Sequence, residues 1–175
     1  MKIIAFAGSN SQHSINKKLA TYASGLFKNA EVEVLDLNDF EMPLFSVDRE
    51  KEVGHLPLAR AFLDKIASAD MVVMSLAENN GNYSAAFKNL FDWCSRIHVK
   101  VLQEKELLLM ATSPGARGGR SVLDIAQNNL LRFGADIKAV FSLPSFYENF
   151  SVEENRISNP DFDNELKEII SILDR

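Results

Sequence analysis

The chain has 175 residues, 46% of them apolar and 25% charged, which fits one domain over residues 1–175 and excludes a disordered, collagenous or coiled-coil protein. Nineteen basic against 24 acidic side chains leave a net charge of −5, which argues against nucleic acid as a partner. The longest purely apolar stretches, such as Leu107 to Ala111, are far short of the roughly 20 residues that span a bilayer. The lone Cys94 allows neither an internal disulfide nor a cysteine-based metal cage, so a cytoplasmic protein without a membrane span or metal site is expected.

Met1 to Gly8 carries an apolar run of only Ile3 to Ala7, too short for the core of a signal peptide, and reads as a first strand, Lys2 to Ala7. Ile15, Leu19, Tyr22 and Leu26 then recur at helical spacing. Glu31 to Leu37 alternates with period two and predicts a second strand, followed by an irregular segment, Asn38 to Gly54. Leu58, Phe62 and Ile66 mark a second helix, and Asp70 to Ala77 is apolar on both faces, as in a central parallel strand covered by helices on each side.

The rhythm repeats with a helix through Ala86, Leu90 and Trp93, a strand over Glu106 to Ala111, and a helix from Val122 to Phe133. Gly134 follows where a left-handed cap is expected. Asp136 to Leu143 gives a fifth strand, Ser142 to Asn159 a surface excursion, and Leu166 to Leu173 a last helix opened by Asn159-Pro160 as cap and first residue. Five strands alternating with five helices imply an open α/β sandwich of three layers.

Such sheets bind ligands beyond the carboxyl ends of their strands. Three loops leave those ends: Gly8 to Asn16, Ala77 to Ser84 and Thr112 to Ser121, all rich in Gly, Ser and Asn. The first offers hydroxyls, amides and the free N–H groups of a helix start, donors suited to a phosphate. It lacks the glycine-lysine signature of nucleoside triphosphatases and the Gly-x-Gly-x-x-Gly of directly bound dinucleotides, so a monophosphate is favoured. The plainer alternative is that Ser14 only caps the helix.

The second loop and the helix after it, Ala77-Glu78-Asn79-Asn80-Gly81-Asn82-Tyr83-Ser84 through Leu90-Phe91-Asp92-Trp93-Cys94-Ser95-Arg96, resemble the signature of the NADPH-dependent FMN reductases, flavodoxin-like proteins that include quinone, chromate and azo-dye reductases. Gly8-Ser9 with Ser14 and Asn16, and Ser113-Pro114-Gly115-Ala116-Arg117-Gly118-Gly119, match that family's first and third flavin loops. The resemblance implies a flavodoxin-like fold, a five-stranded parallel sheet of order 2-1-3-4-5, and noncovalent FMN. It implies that NADPH or NADH and a small-molecule electron acceptor take turns at the flavin, with no catalytic side chain, in a homodimer or homotetramer.

By the same resemblance Ser9, Ser14, the Ile15 amide and Asn16 hold the FMN phosphate. Glu78, Asn79, Asn80 and Gly81 border the isoalloxazine ring, and Ser113, Gly118 and Gly119 close the pocket, the glycines allowing close approach of the main chain. Three positions depart from the family pattern. Ser11 stands where the family has a phosphate-loop arginine, leaving neutral donors alone. Ala77 replaces a proline and Asn79 an aromatic residue, for which Tyr83 is the partial substitute. A flavin-binding electron carrier or sensor, and a degenerate member with weak FMN affinity, are the alternatives.

Other residues have plainer readings. His13 is a solvated loop histidine before it is a phosphate ligand, and Cys94 a packed residue before a redox one. Asp92 and Arg96 are spaced as a helix-surface pair or a subunit contact. Lys88, Arg117 and Arg120 are surface charge first, with attraction of the NADPH 2′-phosphate as the alternative.

Overall fold

The structure, a computed structural model that describes residues 1–174, places its strands in chain order as β1 (Lys2–Gly8), β2 (Glu31–Leu35), β3 (Met71–Leu76), the short pair β4 (Glu78–Asn79) and β5 (Asn82–Tyr83), β6 (Lys105–Thr112), β7 (Ala135–Leu143), and a second short pair, β8 (Phe150–Ser151) and β9 (Arg156–Ile157). The helices are α1 (Ile15–Ser24), α2 (Val47–Val53), α3 (Pro57–Ser68), α4 (Ala85–Ile97), α5 (Arg120–Asn129), α6 (Phe146–Asn149) and α7 (Pro160–Leu173). The five long strands pair in parallel as β2-β1-β3-β6-β7, the expected 2-1-3-4-5 order once the sheet strands are counted alone. The fold is flavodoxin-like.

Alternation along β1 builds the two sides of the core. Ile4 and Phe6 face one layer with Phe62, Ile66, Trp93 and Val122, so α3, α4 and α5 cover that side. Ile3 and Ala5 face the other with Leu19, Ala20, Phe141 and Leu166, under α1 and α7. β3 is buried at every residue, as its unbroken apolar run requires of a central strand. Because α1 and α3 lie on opposite faces, the chain reverses direction across the sheet between β1 and β3, and this opens a crevice at the carboxyl rim.

Several local expectations are met in detail. Gly134 has φ +80°, and Asn159 accepts a hydrogen bond from the Asp161 N–H ahead of α7. Others are corrected. β2 stops at Leu35, because the Asp36 carboxylate accepts from the Asn38 N–H and turns Leu37–Phe40 into a 3-10 helix. The irregular segment contains α2, a helix with no buried residue. The stretch after β7 is more than a surface excursion: Phe146, Phe150 and Ile157 are buried in the core beside α1 and α7. Among the described residues no helix is long and apolar enough to cross a membrane.

Candidate functional site

The three loops meet at the crevice because buried side chains tie their ends together. Asn16, in the first turn of α1, donates from Nδ2 to the Thr112 carbonyl (3.1 Å), and its Oδ1 accepts from the Thr112 N–H (3.0 Å) and the Ser75 hydroxyl (2.7 Å). One amide thus joins the start of α1 to the ends of β3 and β6. Ser84 caps α4 by accepting from the Phe87 N–H, and its hydroxyl donates to the Gly8 carbonyl at 2.8 Å. The Glu78 carboxylate accepts from the Val122 N–H at 3.0 Å, binding the second loop to the first turn of α5.

The first loop forms a cradle of neutral donors. Ser14 caps α1, its Oγ accepting from the Lys17 N–H, and its own N–H donates to the Ser11 carbonyl. Ser9 Oγ accepts from the Ser11 N–H. The hydroxyl hydrogens of Ser9 and Ser14 and the main-chain N–H groups of Ile15 and Asn16 remain for an anion, as helix geometry dictates at an N-terminus. Lys17 is spoken for: its Nζ lies 2.5 Å from Asp36, and this hydrogen bond holds the Asp36 carboxyl below its usual range. Asn16 offers its main-chain N–H, while its buried side chain is bonded to Ser75 and Thr112. These groups fit a phosphate monoester.

Asn80 and Gly81 have φ +51° and +75° and make the tight turn of an antiparallel hairpin in which Glu78 faces Tyr83 and Asn79 faces Asn82. An Asn-Gly pair suits such a turn, because both residues accept positive φ. A Cβ on Gly81 would find its nearest neighbour at 3.9 Å, on Ser121, so the turn conformation and not crowding is what favours glycine here. The third-loop glycines have a different reason. A Cβ on Gly118 would sit 2.4 Å from Ser142 Oγ and 2.9 Å from Pro144 N, and one on Gly119 would sit 2.7 Å from Ala111 Cβ. Both also have positive φ, so packing within the protein by itself requires glycine at these two positions. Ser113 is half-buried and donates to the Gly115 carbonyl. Ala77 is half-buried at the end of β3.

Tyr83 does not replace the missing aromatic, because its ring packs inward on Phe87 with centroids 5.2 Å apart and burial raises its pKa. Asn79 is exposed and, with Asn10 and Asn38, lines a cleft of about 310 Å³ floored by Leu37, Met42 and Leu90. Sequence reading missed this wall. It is held by Asn89, whose Oδ1 accepts from the Phe45 N–H and whose Nδ2 donates to Met42 O, and by Trp93, whose indole N–H donates to Pro43 O at 2.7 Å. Asn89 and Trp93 stand in the motif, but the segment they hold lies nearly fifty residues upstream and carries no pattern of its own.

The expected Asp92–Arg96 pair does not form. Lys88 lies 2.7 Å from Asp92, and Arg96 lies 2.9 Å from Glu50 of α2. His13 is exposed, on a groove of about 580 Å³ along the outer flank of α1 that touches neither the second nor the third loop. Cys94 is fully buried with its Sγ directed at the Ala59 carbonyl, and burial pushes the thiol up to about 12. Among the described residues no cluster of three or more His, Cys, Asp or Glu is placed to hold a metal ion.

Comparison with known proteins agrees with this geometry. The sequence model of the family "NADPH-dependent FMN reductase" matches residues 1–147. The chain is 30% identical over 131 residues to an NADPH:quinone oxidoreductase of Arabidopsis thaliana, covering 73% of this chain and 65% of that protein. It is 29% identical over 120 residues to a quinone reductase of Escherichia coli K12, covering 68% and 63%. The match therefore spans slightly under two thirds of either relative. In three dimensions it superposes on the flavoenzyme NAD(P)H:(acceptor) oxidoreductase of Paracoccus denitrificans with a TM-score of 0.76 at 21% identity, covering 98% of this chain and 93% of the other. An FMN-dependent NADH-azoreductase of Bacillus anthracis, solved with FMN, gives 0.70 at 13% identity with full coverage of both.

Proposed function

The chain belongs to the NADPH-dependent FMN reductase family, and from that premise we propose that it binds FMN at the carboxyl rim and uses NADPH or NADH to reduce quinones or similar small acceptors. The observation that carries this reading is the hydrogen-bonded union of the three loop ends through Asn16, Ser84 and Glu78, beside a helix start whose donors fit a phosphate. FMN, when bound, supplies two-electron hydride chemistry that no protein side chain offers.

The chain's own residues bind and orient. Ser9, Ser14 and the N–H groups of Ile15 and Asn16 hold the phosphate, while the position of Ser11 contributes no charge. Ala77, Glu78, Asn79, Asn80 and Gly81 border the ring, Glu78 by fixing the hairpin to α5, and Ser113 closes the far side with Gly118 and Gly119 shaping its loop. Preorganised main-chain N–H groups there would favour negative charge on the ring. Donor and acceptor take turns over one exposed face, so the cycle is ping-pong. The protein acts in the cytoplasm as a homodimer or homotetramer; the exposed Leu44, Val47 and Val53 are compatible with a subunit contact.

The test is anaerobic mixing of FMN-loaded protein with NADPH or NADH. The yellow colour bleaches, and a quinone restores it. If neither nucleotide bleaches the flavin, the enzyme reading fails and an electron carrier takes its place. If no FMN binds, the site assignment fails as well.

A further inference from the structure

Arg117 and Arg120 share a cleft of about 510 Å³ on the β7 side of the third loop, with Ser142, Pro144 and Glu165 on its other walls. Among the described residues neither arginine has a carboxylate within ion-pair distance, whereas Lys88 is taken by Asp92. In a protein of net charge −5, two unneutralised guanidiniums in one cleft call for a reason. Arg120 is also the first residue of α5, where the helix dipole disfavours a cation. Arg117 is steadied by donating to Ser121 Oγ at 3.0 Å.

The wall opposite is rigid. The Ser142 hydroxyl donates to Gly118 O (2.9 Å), the Ser145 N–H to Gly115 O (2.9 Å) and the Phe146 N–H to Ser113 O (3.0 Å), so the end of β7 is laced to the third loop. Val140, Pro144 and Phe162 give the cleft an apolar and aromatic side, and Gln127 adds an amide. A guanidinium selects a phosphate monoester by forked hydrogen bonding, and an aromatic wall with an amide suits a flat heterocycle bearing ring nitrogens.

We propose that this cleft binds the adenosine 2′-phosphate end of NADPH, with Arg117 and Arg120 as the groups that set preference for NADPH over NADH. The proposal rests on the reading that a nicotinamide nucleotide is the electron donor. Glu165 tempers the site: its carboxylate lowers the affinity for a dianion that the two arginines would otherwise show.

The first experiment is calorimetric titration of the protein with 2′,5′-ADP, 5′-AMP and inorganic phosphate. The nucleotide with the 2′-phosphate binds more tightly than the other two, with an affinity that falls as salt rises. Arg117→Gln and Arg120→Gln each weaken 2′,5′-ADP by about tenfold, as expected for a lost charge-assisted hydrogen bond, and Glu165→Gln strengthens it. In FMN-loaded protein the ratio of kcat/KM for NADPH to that for NADH moves in the same directions. Equal binding of 2′,5′-ADP and 5′-AMP, tightest binding of bare phosphate, or an unmoved ratio in the double arginine variant would each overturn the proposal. Failure of the underlying donor reading looks different, since then neither nucleotide reduces the flavin of the unsubstituted protein.

Discussion

The Glu78 carboxylate accepts a 3.0 Å hydrogen bond from the main-chain N–H of Val122, so a residue forty-four positions upstream caps α5. The helix has no cap of its own: Gly119 precedes it with no side-chain bond, and its first turn contains no acidic residue. A carboxylate here satisfies a free N–H and complements the helix dipole. Glu78→Ala should therefore destabilise the protein by about 1 kcal/mol, lowering its melting temperature by about 2 to 4 °C. Glu78→Gln, which keeps an acceptor, should recover part of the loss. FMN titration of both variants should show weaker binding for Glu78→Ala, because the hairpin and the third loop lose their tie.

Asn16 should be the most sensitive position of the first loop, for structural reasons. Its buried amide makes three hydrogen bonds, two through Oδ1 and one through Nδ2. Asn16→Asp keeps the shape but sets a carboxylate oxygen against the Thr112 carbonyl and buries a charge. The expected loss is about 2 to 4 kcal/mol by urea unfolding, and it should shrink toward acid pH as the new carboxyl is protonated. A loss that stays constant between neutral and acid pH would show that the side chain does not face Thr112 O.

How much of this was legible in the sequence depended on the range of the interactions. Period-two and helical patterns located the five long strands and the main helices, because those patterns record which face each element buries. Asn159 and Gly134 declared their caps through local backbone chemistry. The ties that assemble the rim were not legible, since Asn16 meets Thr112 across 96 positions and Asn89 meets Met42 across 47, distances over which no periodicity carries information. The tight packing around the third-loop glycines was equally hidden, and Arg96 reaches Glu50 because α2, itself without a buried residue, lies beside α4.

Ser11 is exposed on the first loop, so an arginine placed there meets no steric barrier. Ser11→Arg should tighten FMN by up to about fivefold, the range for a solvated ion pair, and the gain should vanish at high salt. Quenching of flavin fluorescence measures it. Equal affinity for the two proteins at low salt would place the phosphate away from this loop.

Cys94 should be inert in the native state. The thiol is fully buried, and burial pushes its pKa up to about 12, so the reactive thiolate is scarce at any ordinary pH. A chromogenic thiol reagent at pH 8 should find no reactive group in the folded protein and one per chain in urea. Prompt reaction without denaturant would mean that α4 separates readily from Ala59.

Lys17 and Asp36 should give the protein a small acid-sensitive increment of stability. The hydrogen bond from Lys17 is the largest cause of the lowered Asp36 pKa. A carboxyl whose folded pKa lies below its unfolded value of 3.8 contributes stability that is fully present above the unfolded value and is lost as pH falls through the folded one. Both side chains are about one-third exposed, so solvent screening keeps the contribution within about 1 kcal/mol. Lys17→Met should lower the melting temperature most near neutral pH, and its difference from the unsubstituted protein should shrink on acidification below the usual carboxylate range. A difference that is the same at pH 7 and pH 2 would assign the effect to α1 helix propensity instead of the ion pair.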